Sequence, residues 1–118
     1  MKISLNIAGT DEQTNKMAEN KAMERLLLSV KQGDWEAREL LLQRYRPLML
    51  SLVQKRTSET ALQNKYMEAA KAGLLAAASK YTHSVQPDRF QIFALDYIEA
   101  SMNRSERRGF FARLFGGK

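Results

Sequence analysis

The residues of this chain that could do chemistry are few, and their types point away from catalysis. His83 is the only histidine, cysteine is absent, and the carboxylates Asp96 and Glu99 stand three apart with no metal-spaced companions. A thiol nucleophile, a disulfide framework and a cysteine-ligated metal are excluded, and an isolated histidine among loop-forming residues has no base or nucleophile beside it. Gly116-Gly117 is too short to cradle a phosphate. These absences predict a non-enzymatic protein with no metal and no cofactor. Nucleic-acid binding is better supported, because it needs aromatic platforms for bases and cations for the backbone. Phe90, Phe93 and Tyr97 recur at helical spacing, and the chain ends in a run that mixes Phe110, Phe111, Leu114 and Phe115 with Arg107, Arg108, Arg113 and Lys118.

Charge is placed unevenly. The net charge is +6, and the fifteen residues from Arg104 to Lys118 hold five cations against the single anion Glu106. Most of the positive excess therefore lies from Arg104 onward, in a basic-aromatic tail, residues 105–118, and the arginine just before it, rather than on a uniformly basic face. Such a tail can bind nucleic acid by stacking and charge, enter a partner groove or lie on an anionic membrane; about nine residues offer a membrane little area, so a membrane partner is the weakest of the three. Spanning needs roughly 20 apolar residues, and no run approaches that. Nor does the opening segment carry the apolar core of a secretory signal, so the expected location is the cytoplasm.

The elements that must position these residues are helical. Gly33 can end one helix in the left-handed conformation and Asp34 can cap the next, a corner of minimal length. Before it, Met23, Leu26, Leu27 and Val30 mark a helix from about Lys16 to Lys31. After it, Ala37, Leu41, Tyr45, Leu48 and Leu52 fall on one face of a second helix reaching about Lys55, in which Pro47 predicts a kink. Thr57 or Ser58 can cap a third helix starting at Glu59 or Thr60, with Met67, Ala70, Leu74, Ala77 or Ala78, and Tyr81 as its stripe and with alanines that permit close approach to a neighbour. Pro87 ends the loop from His83, and Asp88 can cap a fourth helix whose stripe is Phe90, Phe93 or Ala94, Tyr97, Ile98 and Met102. Residues 1–18 show no apolar period and read as a flexible arm; the alternation from Lys2 to Ile7 is strand-like but has no partner strand. The 118 residues thus predict one all-α domain, a compact bundle of about four helices over residues 19–104. Its expected core is Leu27, Val30, Trp35, Leu41, Tyr45, Leu48, Leu52, Leu74, Tyr81, Phe90, Phe93 and Tyr97.

Within this frame a family pattern is visible. Gly33-Asp34, Ala37, Leu41 (or Leu40), Arg44-Tyr45, Pro47 and Leu48 together resemble the opening helices of region 2 of bacterial sigma-70 family transcription factors. Gly73-Leu74-Leu75, Ala77, Lys80 and Tyr81 are similar to the second half of that family's third helix. Phe90, Phe93 and Ala94 resemble the aromatic pattern preceding its promoter-melting segment. The resemblance covers about Met23 to Arg104 and implies a region-2-like domain that binds RNA polymerase core, promoter DNA or both in transcription initiation or its regulation. By that resemblance Glu68, Lys71 and Leu75 would dock on polymerase, while Phe90, Phe93, Tyr97 and Arg104 would face DNA. The chain departs from the family at Lys65, where an acidic residue is usual, and at Asp96 and Glu99, which stand where DNA phosphates approach. The alternative reading is a helical protein–protein interaction module that kept the fold and lost promoter recognition.

Overall fold

A computed structural model describes residues 2–82 and 85–111, with side chains for 14–82 and 85–109. Four helices account for nearly all of it: α1 (Lys2–Lys31), α2 (Trp35–Arg56), α3 (Thr60–Lys80) and α4 (Phe90–Phe111), the last preceded by a single 3-10 turn, Pro87–Arg89. No strand occurs among the described residues, and the all-α bundle expected from the sequence is the fold.

The α1–α2 corner forms as its residue types dictate. Gly33 adopts φ 94°, open to a residue without a Cβ. The Gly33 N–H donates to the Val30 carbonyl and the Asp34 N–H to the Ser29 carbonyl, each at 3.0 Å, the paired bonds that close a helix C-terminus through a left-handed residue. Asp34 then turns from terminator to initiator: its Oδ1 accepts from the Glu36 N–H at 3.0 Å and the Ala37 N–H at 3.3 Å. One residue thus finishes one helix and starts the next.

On α2 the buried side chains are Ala37, Leu41, Tyr45, Met49 and Val53, a strict spacing of four. Four residues turn the helix about 400°, so this face advances by about 40° per step and winds around the rod. Leu48 and Leu52, expected at the centre, are half-buried at its margin. Trp35 corrects the expected core outright: it is 67% exposed. It stands two residues before Ala37, about 200° around the helix, and so points away from the face that Ala37 buries. Pro47 lies exposed inside the continuous helix.

The tightest pairing joins α3 to α4. Ser101 Oγ donates to the Ala69 carbonyl at 2.6 Å, while Gly73 meets Tyr97 and Ile98, so the two helices run antiparallel. A Cβ on Gly73 would lie 2.6 Å from the Tyr97 carbonyl oxygen and 2.7 Å from the Ile98 Cα; only glycine lets the backbones meet here. Ala69, Ala70, Ala77 and Ala78 complete a floor of small residues beneath Phe90, Ala94, Ile98 and Met102, as the alanine-rich sequence suggested.

Helix ends account for the remaining differences. α1 begins at Lys2, not near Lys16, so the segment read as an arm and the strand-like alternation within it are helical. Residues Thr14–Glu19 are exposed, and Lys16, Met17, Ala18 and Glu19 among them are good helix formers, so propensity rather than packing favours helix there. At the other end α4 continues to Phe111, so Arg107 and Arg108 sit on a helix; Arg113 and Lys118 lie outside the described residues. Thr57 Oγ1 accepts from the Glu59 N–H, leaving Glu59 itself at the N-cap of α3 without a side-chain cap bond. Asp88 falls within the 3-10 turn.

Candidate functional site

The aromatic residues expected to face DNA form a ladder that runs from the core outward. Phe90 packs edge-on against Tyr45 and Tyr81, with ring centroids 5.9 and 6.1 Å away, and is wholly buried. It cannot serve as a stacking platform and belongs to the core, because α4 turns its first residue straight into the bundle. Phe93 lies 6.2 Å from Phe90, and Tyr97 lies 5.2 Å from Phe93. Both are half-buried. Arg104 follows two turns after Tyr97, on the same side of α4, and is exposed, as is Asp96.

Glu99 is engaged within the molecule. Arg56, the last residue of α2, places Nη2 2.8 Å from Glu99 Oε2 and Nη1 3.2 Å from Glu106 Oε2. The same guanidinium donates to Asn103 Oδ1 at 2.8 Å and lies over the Tyr66 ring at 5.7 Å from its centroid. This hub gathers α2, α3 and α4 around one cation. Sequence spacing gave no sign of it, since Arg56 and Glu99 are 43 residues apart.

Of the three α3 residues assigned to polymerase docking, Glu68 and Leu75 line two different grooves and Lys71 lines neither. Glu68 pairs with Lys71 at 3.3 Å along the exposed side of the helix. Leu75, half-buried, lines a groove of about 170 Å³ at the corner, together with Lys31, Trp35, Arg38 and Ser79. Glu68 also borders a wider groove of about 480 Å³ between α3 and α4, whose walls carry Lys65 and Arg108. The exposed tryptophan is the residue sequence reasoning misplaced: apolar type suggested core, whereas its position at N1 of a capped helix put it on the rim.

Two buried phenols shape the electrostatics of the interior. Burial raises the Tyr45 pKa, with the neighbouring Arg44 cation pulling it the other way. Burial also raises that of Tyr81, reinforced by the negative charge of Glu24. The Tyr81 hydroxyl has no hydrogen-bond partner among the described residues, although its backbone carbonyl accepts from Lys31 Nζ at 2.8 Å. Among the described residues no three His, Cys, Asp or Glu side chains come together as a metal site, and no helix is long and apolar enough to cross a membrane. His83 lies outside the described residues.

Compared with protein-family models, curated proteins and solved structures, the chain matches none.

Proposed function

We propose that this protein is a sigma-70 region-2-like transcription protein that works in the cytoplasm, without catalysis of its own, by binding RNA polymerase core, promoter DNA or both. The observation that carries the reading is the combined pattern Gly33-Asp34, Ala37, Leu41, Arg44-Tyr45, Pro47 and Leu48, joined to the Gly-Leu-Leu pattern of α3 and the aromatic opening of α4. The half-buried rings of Phe93 and Tyr97, with exposed Arg104 two turns farther along α4, supply the aromatic and cationic residue types that single-stranded nucleic acid uses.

A second reading has observations of its own. Phe90 is sequestered in the core, Asp96 is exposed on α4, and Trp35 stands open beside Arg38 in a groove, the residue types that anchor protein interfaces. These favour a helical interaction module that regulates by holding another protein. Isolation of the tagged protein from its own cells tests the two. Polymerase subunits in the eluate, at stoichiometry surviving a salt wash, are the outcome of the first reading; their absence transfers the protein to the second.

A further inference from the structure

The groove between α3 and α4 has an unusual lining. Its floor is Ala69, Ala72 and Gly109, its walls carry Lys65 from α3 and Arg108 from α4, and Ser105 adds a hydroxyl at the rim. Lys65 and Arg108 are both exposed, and neither has an ion-pair partner among the described residues. Glu68, the one carboxylate on the lining, has its charge opposed by Lys71. Arg104 and Arg107 extend the positive field along the same end of α4, whereas the nearby Glu106 is engaged by Arg56.

The geometry points to this groove as a seat for the phosphate backbone of a nucleic acid, read without regard to base sequence. A floor of small side chains admits a slender chain close to the helix axes, and cations on opposite walls suit a polymer that repeats its negative charge. No large apolar side chain lines the groove, so a partner helix would have nothing there in which to bury its face. Lys65 gives the α3 side of the groove its positive charge. The inference rests on the transcription reading for its choice of nucleic acid over other polyanions.

The test is anisotropy titration of the whole protein against a fluorescein-labelled DNA single strand of mixed sequence, between about 50 and 200 mM salt. Lys65→Ala and Arg108→Ala should each weaken binding and lower the slope of log affinity against log salt by about 1, equally for a second strand of unrelated sequence. Arg38→Ala, a cation of the corner groove, should leave the slope in place. Melting temperatures of all three should stay near that of the parent, since the side chains are exposed. The groove is ruled out if the unmodified protein fails to bind the strand, if neither groove variant changes the slope, or if Arg38→Ala changes it as much. Equal binding of polyglutamate, lost in the same variants, would also overturn the nucleic-acid assignment. Polymerase capture, measured in parallel, separates this site from the wider reading. Loss of slope without capture upholds the groove and removes the polymerase role; capture with unchanged slopes does the reverse.

Discussion

Arg56 Nη2 and Glu99 Oε2 lie 2.8 Å apart, joining the last turn of α2 to the outer side of α4. This pair decides what Glu99 is for. The Glu99 carboxylate is matched within the protein, and the Arg56 guanidinium that matches it lies over the Tyr66 ring.

Arg56→Ala should therefore cost about 1–2 kcal/mol of stability, more than an ordinary surface pair, because one cation serves Glu99, Glu106, Asn103 and the Tyr66 ring. A double-mutant cycle with Glu99→Gln should show a coupling of about 0.5–1 kcal/mol that shrinks in high salt. For single-stranded DNA, Asp96→Asn should improve affinity more than Glu99→Gln does. A Glu99→Gln protein that binds DNA better while melting at the parental temperature would place that carboxylate at the ligand instead.

Gly73→Ala should destabilise in spite of alanine's better helix propensity. The new methyl would overlap the Tyr97 carbonyl and the Ile98 Cα, a cost of about 1–3 kcal/mol set against a propensity gain of about 1. Gly109→Ala is the matched control, since nothing lies within 4 Å of its added Cβ. It should gain about 0.5–1 kcal/mol. Thermal melts of the two variants should shift in opposite directions; a shift upward for both would mean that α3 and α4 are farther apart than described.

Tyr81→Phe should stabilise the protein at neutral pH by about 1 kcal/mol, because the buried hydroxyl it removes has no partner among the described residues. Its pH dependence has a definite sign. With the folded pKa raised above 10.0, the unfolded chain loses its phenolic proton first as pH climbs, so stability is intact below pH 10 and falls above it. Removing the phenol should flatten that alkaline fall, leaving the part due to Tyr45. Denaturant midpoints from pH 7 to about pH 11 would check it; an unaltered alkaline slope places the Tyr81 hydroxyl in water.

Trp35→Ala should change the melting temperature little, within about 0.5 kcal/mol, since the ring is largely in solvent. Met49→Ala, in contrast, should cost about 2–5 kcal/mol through lost burial and an unfilled cavity. Leu48→Ala should fall between them, being half-buried. Should Trp35→Ala prove the most damaging of the three, the corner groove is closed in solution.

Local rules made much of this legible. The Gly33-Asp34 corner follows from one residue's freedom and the next residue's short carboxylate, both of which act within a few residues along the chain. Leu27, Leu41, Leu74 and Tyr81 were identifiable as core because apolar stripes of helical period must find cover. The same rule overreached at Trp35, since residue type says how favourable burial would be and not whether the helix rotation offers it. It also placed Leu48 where Met49 lies: a stripe read for a straight face misses one that winds to follow its neighbours. Among the candidate site residues, types and helix sides were readable, as for Phe93, Tyr97 and Arg104.

What the sequence determined by itself, then, was a helical bundle with a sharp first corner, small residues for one close helix pair and an excess of charge near the C-terminal end. Tertiary structure alone decided that Phe90 is core, that Glu99 belongs to Arg56 and that Lys65 and Arg108 line one groove. The physical reason is range. Helix period and capping act over three or four residues and leave a mark in the sequence, whereas ion pairs and grooves depend on how helices distant in sequence are rotated and offset, a quantity fixed only when Gly73 meets Ile98 and the bundle closes.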